Sequence, residues 1–496
     1  MAVKVDTHKE IIFGSSDPNI SRVISKKKKD GELRKLAPRI YTTNLIDSPA
    51  NIVRRNLIEI LAYRYPNALI SHRSAKEMRP TSTGDFFLTN STTRRVTDLP
   101  GIILNFVKGP KATAHDIPFM GMHISGEHRY MLENMQLSRK SGDESRVLPI
   151  SVIENKLEQL LLTGGEERLN QYRDELREVA NELGMADEFS KINNIISALL
   201  STHDARVLST DSAKARASGN PFDANRVGLF EILFDTIKDR YFVIRNNRNT
   251  DEDSFRLFSF FESYFSNYIE GTEFDIEEAK EIVDSGIPMP RRDEDSHDIL
   301  GTFKILSNRT EMRRVPTSPE ELFAILSHRH TILLEGRPHM NPGVFKMRNN
   351  RAGQTEFVDY QLVKGTLSQG FKYYSALTDP FARAIFMMFM ISEVHPFNDG
   401  NGRIARVMMT AELVRADQSR IIVPTVFRED YILALRKLTR HKDPMAYINV
   451  MTKLHQFSDN LYGTDFTELK NYLAACNAYE EPSQAKLQII DRSIRH

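Results

Sequence analysis

The chain has 496 residues, 40% apolar and 27% charged, with a formal net charge of +1. These proportions fit two to four globular domains and exclude a disordered or fibrous chain. No run nears eighteen consecutive apolar residues, and Met1-Ala2-Val3-Lys4 does not open a secretory leader, so no membrane partner is expected. The single cysteine, Cys476, excludes an intrachain disulfide, reads as a small packed residue and points to a reducing, cytoplasmic setting.

The near-zero charge hides an asymmetry. Residues 1–110 hold 19 Lys and Arg against 10 Asp and Glu, leaving 48 against 56 for the rest. Such a basic segment either faces nucleic acid or is a solvated face. Residues 1–30, which close on the lysine run 26–29, are expected to be poorly ordered. A strand is expected at 40–43, a helix at 51–63, and strands at 85–89 and 101–107, punctuated by Pro80, Gly84 and Pro100-Gly101. Together they predict a small α/β module over 1–148.

From 149 onward the pattern is amphipathic and helical, over 152–162, 166–183, 189–200 and 221–242. This predicts a helical connecting region at 149–250, then a mainly α bundle at 251–455 and a helical tail at 456–496. A helix at 255–270 carries Leu257, Phe258, Phe261, Tyr264, Phe265 and Tyr268 on one apolar face and stops at Gly271. Glu270 therefore falls in its last turn, where the dipole disfavours an anion, so its carboxylate is either solvated or held by a cation; Ser266 lies one turn earlier on the same face. His328 and His330 have no neighbouring ligand that would make a metal site. The bundle is interrupted by an extended stretch, 343–363. There Val344-Phe345-Lys346-Met347-Arg348, a turn at 349–353 and Thr355-Glu356-Phe357-Val358 read as a hairpin.

Asp379-Pro380 opens a helix that is nearly apolar all round. It ends in His395-Pro396-Phe397-Asn398-Asp399-Gly400-Asn401-Gly402-Arg403, after which a second helix carries Arg406. A glycine turn between two helices turns backbone N–H groups into one concavity, and the second helix adds its N-terminal dipole. Asp399 offers a hard oxygen for a Mg²⁺ ion carried by polyphosphate. Arg403 and Arg406 project from one helix face, and His395 can take a proton from a hydroxyl.

This set resembles the Fic family signature, His-Pro-Phe-x-(Asp/Glu)-Gly-Asn-Gly-Arg-x-x-Arg. The resemblance implies a protein adenylyltransferase that moves AMP from ATP, with Mg²⁺ or Mn²⁺, onto a Ser, Thr or Tyr of a target protein or of itself. His395 would be the base, Phe397 the loop anchor and Asp399 the metal ligand. Asn398, Gly400, Asn401, Gly402 and Arg403 would hold the nucleotide phosphates, and Arg406 the γ-phosphate. Family members that transfer a terminal phosphate carry Lys where this chain has Gly402. Thr410 stands where relatives often place Asn, so the base, and with it a donor other than ATP, stays open. Ser266-Asn267-Tyr268-Ile269-Glu270-Gly271 matches the family's inhibitory pattern. It implies that Glu270 pairs with Arg406 and restrains the enzyme, and that removal of AMP is a second activity to consider. The hairpin at 355–358 would pair with the target backbone.

The segments 31–41, 70–75 and 87–89 resemble regulator-like antitoxins of the abortive-infection type, which join a winged helix-turn-helix to an α/β domain. No leading recognition helix is evident in 1–30. The resemblance implies a DNA-binding regulator, or a toxin–antitoxin component with a Fic domain, as the alternative function. A docking or targeting module for substrates is the other reading of this region, and a homo-oligomer stays open for the chain as a whole.

Overall fold

The computed structural model describes residues 9–201, 204–353 and 355–492. Backbone contacts divide the chain into two units, Met1–Ser218 and Gly219–His496.

The first unit opens with a three-stranded antiparallel sheet, in the order Ile11–Phe13, Ile40–Thr42, Arg34–Ala37. Between its first two strands in sequence runs a helix, Pro18–Lys29. This corrects the expectation of disorder over 1–30, of which 1–8 lie outside the described residues. Asp17 caps the helix by accepting from the Asn19 N–H at 2.8 Å, and Ile24 buries against Ile12 and Leu33. The lysine run occupies the last turn, where cations suit the dipole.

A six-stranded mixed sheet follows, ordered Arg94–Leu99, Ile102–Lys108, Asp85–Asn90, Leu69–Ile70, Met122–Ile124, Ile117–Phe119. Its Phe86, Leu88, Leu104 and Phe106 share a core with Ile52, Val53, Ile60 and Leu61 from the helices Pro49–Arg55 and Leu57–Arg64. The helices Ile150–Leu183, kinked at Gly165, and Ala186–Leu199 build a separate core around Leu157, Tyr172, Leu176 and Ile196.

The second unit is mainly helical. Its centre is Pro380–Val394, capped by Asp379, with Phe381 through Ile391 buried except Arg383. A helix of such composition is stable only when neighbours cover every side. Asn401–Arg415, Val363–Ala376 and Ala224–Ile237 pack on it. Glu252–Ile269, capped by Asp251, packs on Asp293–Leu306, and both reach Asn401–Arg415. No helix among the described residues is long and apolar enough to cross a membrane.

Candidate active site

The central helix ends because His395 adopts a left-handed conformation, φ 48°, and its N–H closes the last turn on Ile391 O at 2.9 Å. The imidazole Nδ1 lies 2.6 Å from Ser392 O. A carbonyl only accepts, so Nδ1 carries the hydrogen and Nε2 holds the lone pair. Burial lowers the pKa of His395 to about 4, which keeps the ring neutral. Phe357 stacks on it, with ring centroids 3.4 Å apart.

Phe397 is fully buried and stacks on His330 at 3.7 Å. Asn401 Oδ1 accepts from Phe397 N–H at 2.9 Å, and its Nδ2 donates to Phe397 O at 2.8 Å. Both ends of the Asn401 amide, expected on a phosphate, are thus engaged in closing the loop. Gly400 caps the second helix at φ 71°. Asp399 O accepts from His330 Nε2 at 2.9 Å, while His330 Nδ1 accepts from Gly343 N–H at 2.8 Å. Burial also takes His330 down to about 4. The Asp399 carboxylate stays half-buried, and Asn398 is exposed beside Met340 O.

Arg403 Nη1 lies 2.8 Å from Asp298 Oδ2 and donates to Asn267 Oδ1 at 3.4 Å. Its Nη2 is 3.7 Å from Asp399. Its Nε is buried without a hydrogen-bond partner among the described residues. Asp298 also binds Arg337, at 3.1 Å and 2.7 Å. Arg406 donates from Nε to Ser266 Oγ and from Nη2 to Ser266 O, both at 2.9 Å, and pairs with Glu270 Oε1 at 2.7 Å. Burial pushes the Glu270 carboxyl up, but Arg406 and then Arg403 outweigh it, so its pKa lies below the usual value. Gly402 lies directly under this carboxylate: a Cβ there would come within 2.2 Å of Glu270 Oε1. Thr410, fully buried, donates to Glu262.

The hairpin is shorter than expected. Only Arg351–Ala352 and Thr355–Glu356 pair, and 344–348 form no strand. The reason is competition for backbone groups: Lys346 N–H donates to Pro396 O at 2.8 Å instead of to a ladder. Arg226 joins the hairpin to the helix before His395, donating to Glu356 O at 2.5 Å and to Glu393 Oε2 at 2.6 Å. Arg440 donates to Thr355 Oγ1 at 3.0 Å. Phe357 and Val358 lie beyond the paired residues, Val358 fully buried.

His395, Asp399, Gly402, Arg403, Arg406, Ser266 and Glu270 therefore converge; of the four hairpin positions Phe357 touches His395, while Thr355 and Glu356 bond Arg440 and Arg226. Sequence reasoning missed Asp298, Arg226 and His330, whose partners are 13 to 167 residues away and leave no local signal.

Residues 318–413 match the Fic/DOC family profile. They form a Fic domain. Among curated relatives, protein adenylyltransferase fic-1 of Caenorhabditis elegans is 29% identical over 115 residues, covering 23% of this chain and 22% of the relative. Protein adenylyltransferase Fic of Nematostella vectensis is 24% identical over 214 residues, 40% of this chain and 47% of that one. The chain thus spans between about a fifth and a half of the length of these relatives. The solved Fic-1 fragment from C. elegans aligns over 66% of this chain and 92% of its own, with 16% identity and a TM-score of 0.36.

Proposed function

We propose that the second unit is a protein adenylyltransferase whose resting state is restrained by Glu270. One observation carries this: His395, whose Nε2 holds the lone pair, belongs to the same loop as a glycine–arginine anion cradle, and a carboxylate already sits in that cradle. In the transfer, the hydroxyl oxygen of a target Ser, Thr or Tyr bonds to the α-phosphorus of ATP. The bond from that phosphorus to the bridging oxygen breaks, pyrophosphate leaves, and the hydroxyl proton goes to His395 Nε2. The backbone N–H groups at 400–402, with Arg403 and Arg406, hold the phosphates. The half-buried Asp399 carboxylate would hold a Mg²⁺ or Mn²⁺ ion, which would screen phosphate charge when bound. With Glu270 on Arg406, the guanidinium is unavailable to the γ-phosphate. The single buried cysteine supports a reducing, cytoplasmic location.

The test is labelled-ATP transfer by the full chain. Glu270→Gly is expected to raise auto-modification or target modification sharply, and adding His395→Ala should remove it, by roughly 10²–10⁴-fold. A Glu270→Gly chain no more active than wild type sinks the restraint. Label that survives His395→Ala sinks the chemistry.

A second reading of the first unit is favoured by one observation. Pro18–Lys29 turns Asn19, Arg22, Lys26 and Lys29 outward, next to a sheet hairpin whose turn holds the exposed Arg39. A basic helix followed by such a hairpin suits the major groove and backbone of duplex DNA. A gel shift by the full chain should weaken steeply with salt and be lost in the Lys26→Glu/Lys29→Glu variant. Equal binding by that variant removes this reading and leaves a protein-docking module.

A further inference from the structure

Lys346 is a buried lysine that the transfer chemistry above does not use. Only 3% of it is exposed, and its ammonium hydrogen-bonds two neutral oxygens, Asn350 Oδ1 at 2.7 Å and Val394 O at 3.4 Å. Burying a charge against neutral acceptors is unfavourable, and an apolar side chain of the same length would fill the space more cheaply. What the charge does is visible in its neighbours. Val394 O is one of the last carbonyls of the central helix and has lost its helical partner; Lys346 Nζ supplies a donor. The backbone N–H of the same residue holds Pro396 O. Asn350 extends the contact, donating from Nδ2 to Phe397 O at 2.9 Å and accepting Phe357 N–H on its backbone carbonyl at 3.3 Å. The carbonyls at 394, 396 and 397 are therefore all fixed from the base of the hairpin. His395 between them holds a left-handed conformation that a non-glycine residue keeps only when its surroundings over-determine it.

We propose that Lys346, with Asn350 as its bridge, is a positioning residue that clamps the backbone on both sides of His395 and aims Nε2 at the acceptor hydroxyl. The inference rests on the transfer reading above. Its electrostatic consequence adds a second readout. The charges facing the imidazole are Lys346 from the hairpin base, Arg226 from Ala224–Ile237 and Glu270 from the restraining helix. Removing the Lys346 charge makes protonation of His395 easier.

The experiment compares Lys346→Met and Lys346→Arg in the Glu270→Gly background. Lys346→Met should lower kcat roughly 10- to 100-fold, leave KM for ATP within about twofold, and move the acid limb of the kcat–pH profile to higher pH. Lys346→Arg should restore most of kcat and the position of that limb. Unchanged kcat with an unmoved limb in the Met variant, or an Arg variant as impaired as Met, overturns the proposal. If Lys346→Met fails to fold by near-ultraviolet circular dichroism, Asn350→Ala should show a smaller fall in kcat at unchanged KM, and no fall overturns it. The His395 imidazole titration, followed by NMR in the full chain and assigned with His395→Ala, needs no turnover. Absent transfer in the Glu270→Gly parent therefore condemns the transfer reading, whereas an unchanged titration in Lys346→Met condemns this one.

Discussion

Arg403 and Arg406 stand three positions apart on one helix, and each meets a carboxylate from a neighbouring helix. The two pairs differ in water. Asp298 is 3% exposed and shared between Arg403 and Arg337, whereas the Glu270 side chain is 35% exposed and, among the described residues, forms an ion pair with Arg406 only. In a dry setting the survivor of a broken pair is a stranded charge, so the pair is effectively permanent. Arg406 is as buried as Arg403, but the Glu270 side chain reaches water, so a competing anion can enter and take its place on the guanidinium. The site thus has one fixed cation and one contested cation, and the contested one lies beneath the proposed brake.

Breaking each pair in turn tests this contrast. Asp298→Ala should cost roughly 3–5 kcal/mol of stability, measured by chemical denaturation. Acid should loosen the fixed end next. His330 and His455 are buried with pKa values lowered to about 4, so the unfolded chain takes up protons below about pH 6.5 that the folded chain refuses. The contribution of each histidine to stability should therefore fall as pH drops from 6.5 towards 4, by about 2 kcal/mol at pH 5. His330→Gln should flatten that slope in a melting series. Glu270→Gly should cost less stability than Asp298→Ala, because Arg406 keeps both Ser266 acceptors and its vacated side opens to water, while raising transfer. A loss as large as that of Asp298→Ala would erase the distinction between the pairs. Ser266→Ala removes one acceptor of Arg406 and leaves Glu270 in place, so transfer should rise less than in Glu270→Gly. A larger rise would make Ser266 the principal restraint.

The legible parts of this site were contiguous. Residues 395–406 place a base, a glycine turn and two arginines within one loop and one helix turn, and the awkward last-turn position of Glu270 pointed to a cation. Asp298 gave no such signal, because an acid on an amphipathic helix is ordinarily solvated and nothing local announces that Arg337 and Arg403 will enclose it. His330 was set aside for want of metal ligands, yet it props the loop through Asp399 O, a backbone atom that no side-chain pattern reveals. The helix Pro18–Lys29 was misread despite its Asp17 cap and Pro18, because the lysine run suggested a solvated tail. The stretch 344–348 has strand-like residues, but its backbone is claimed by the catalytic loop.

By itself the sequence determined the two helices that flank the catalytic loop, which loop can cradle an anion and which side chains can do acid–base work, since these follow from short-range sterics and spacing. Tertiary structure alone decided which carboxylate meets which guanidinium, and how dry each meeting is. Desolvation depends on what surrounds a charge rather than on the residue that carries it. That is why Asp298 and Glu270, two acids that each meet an arginine of the same helix, end as a fixed support and a displaceable restraint.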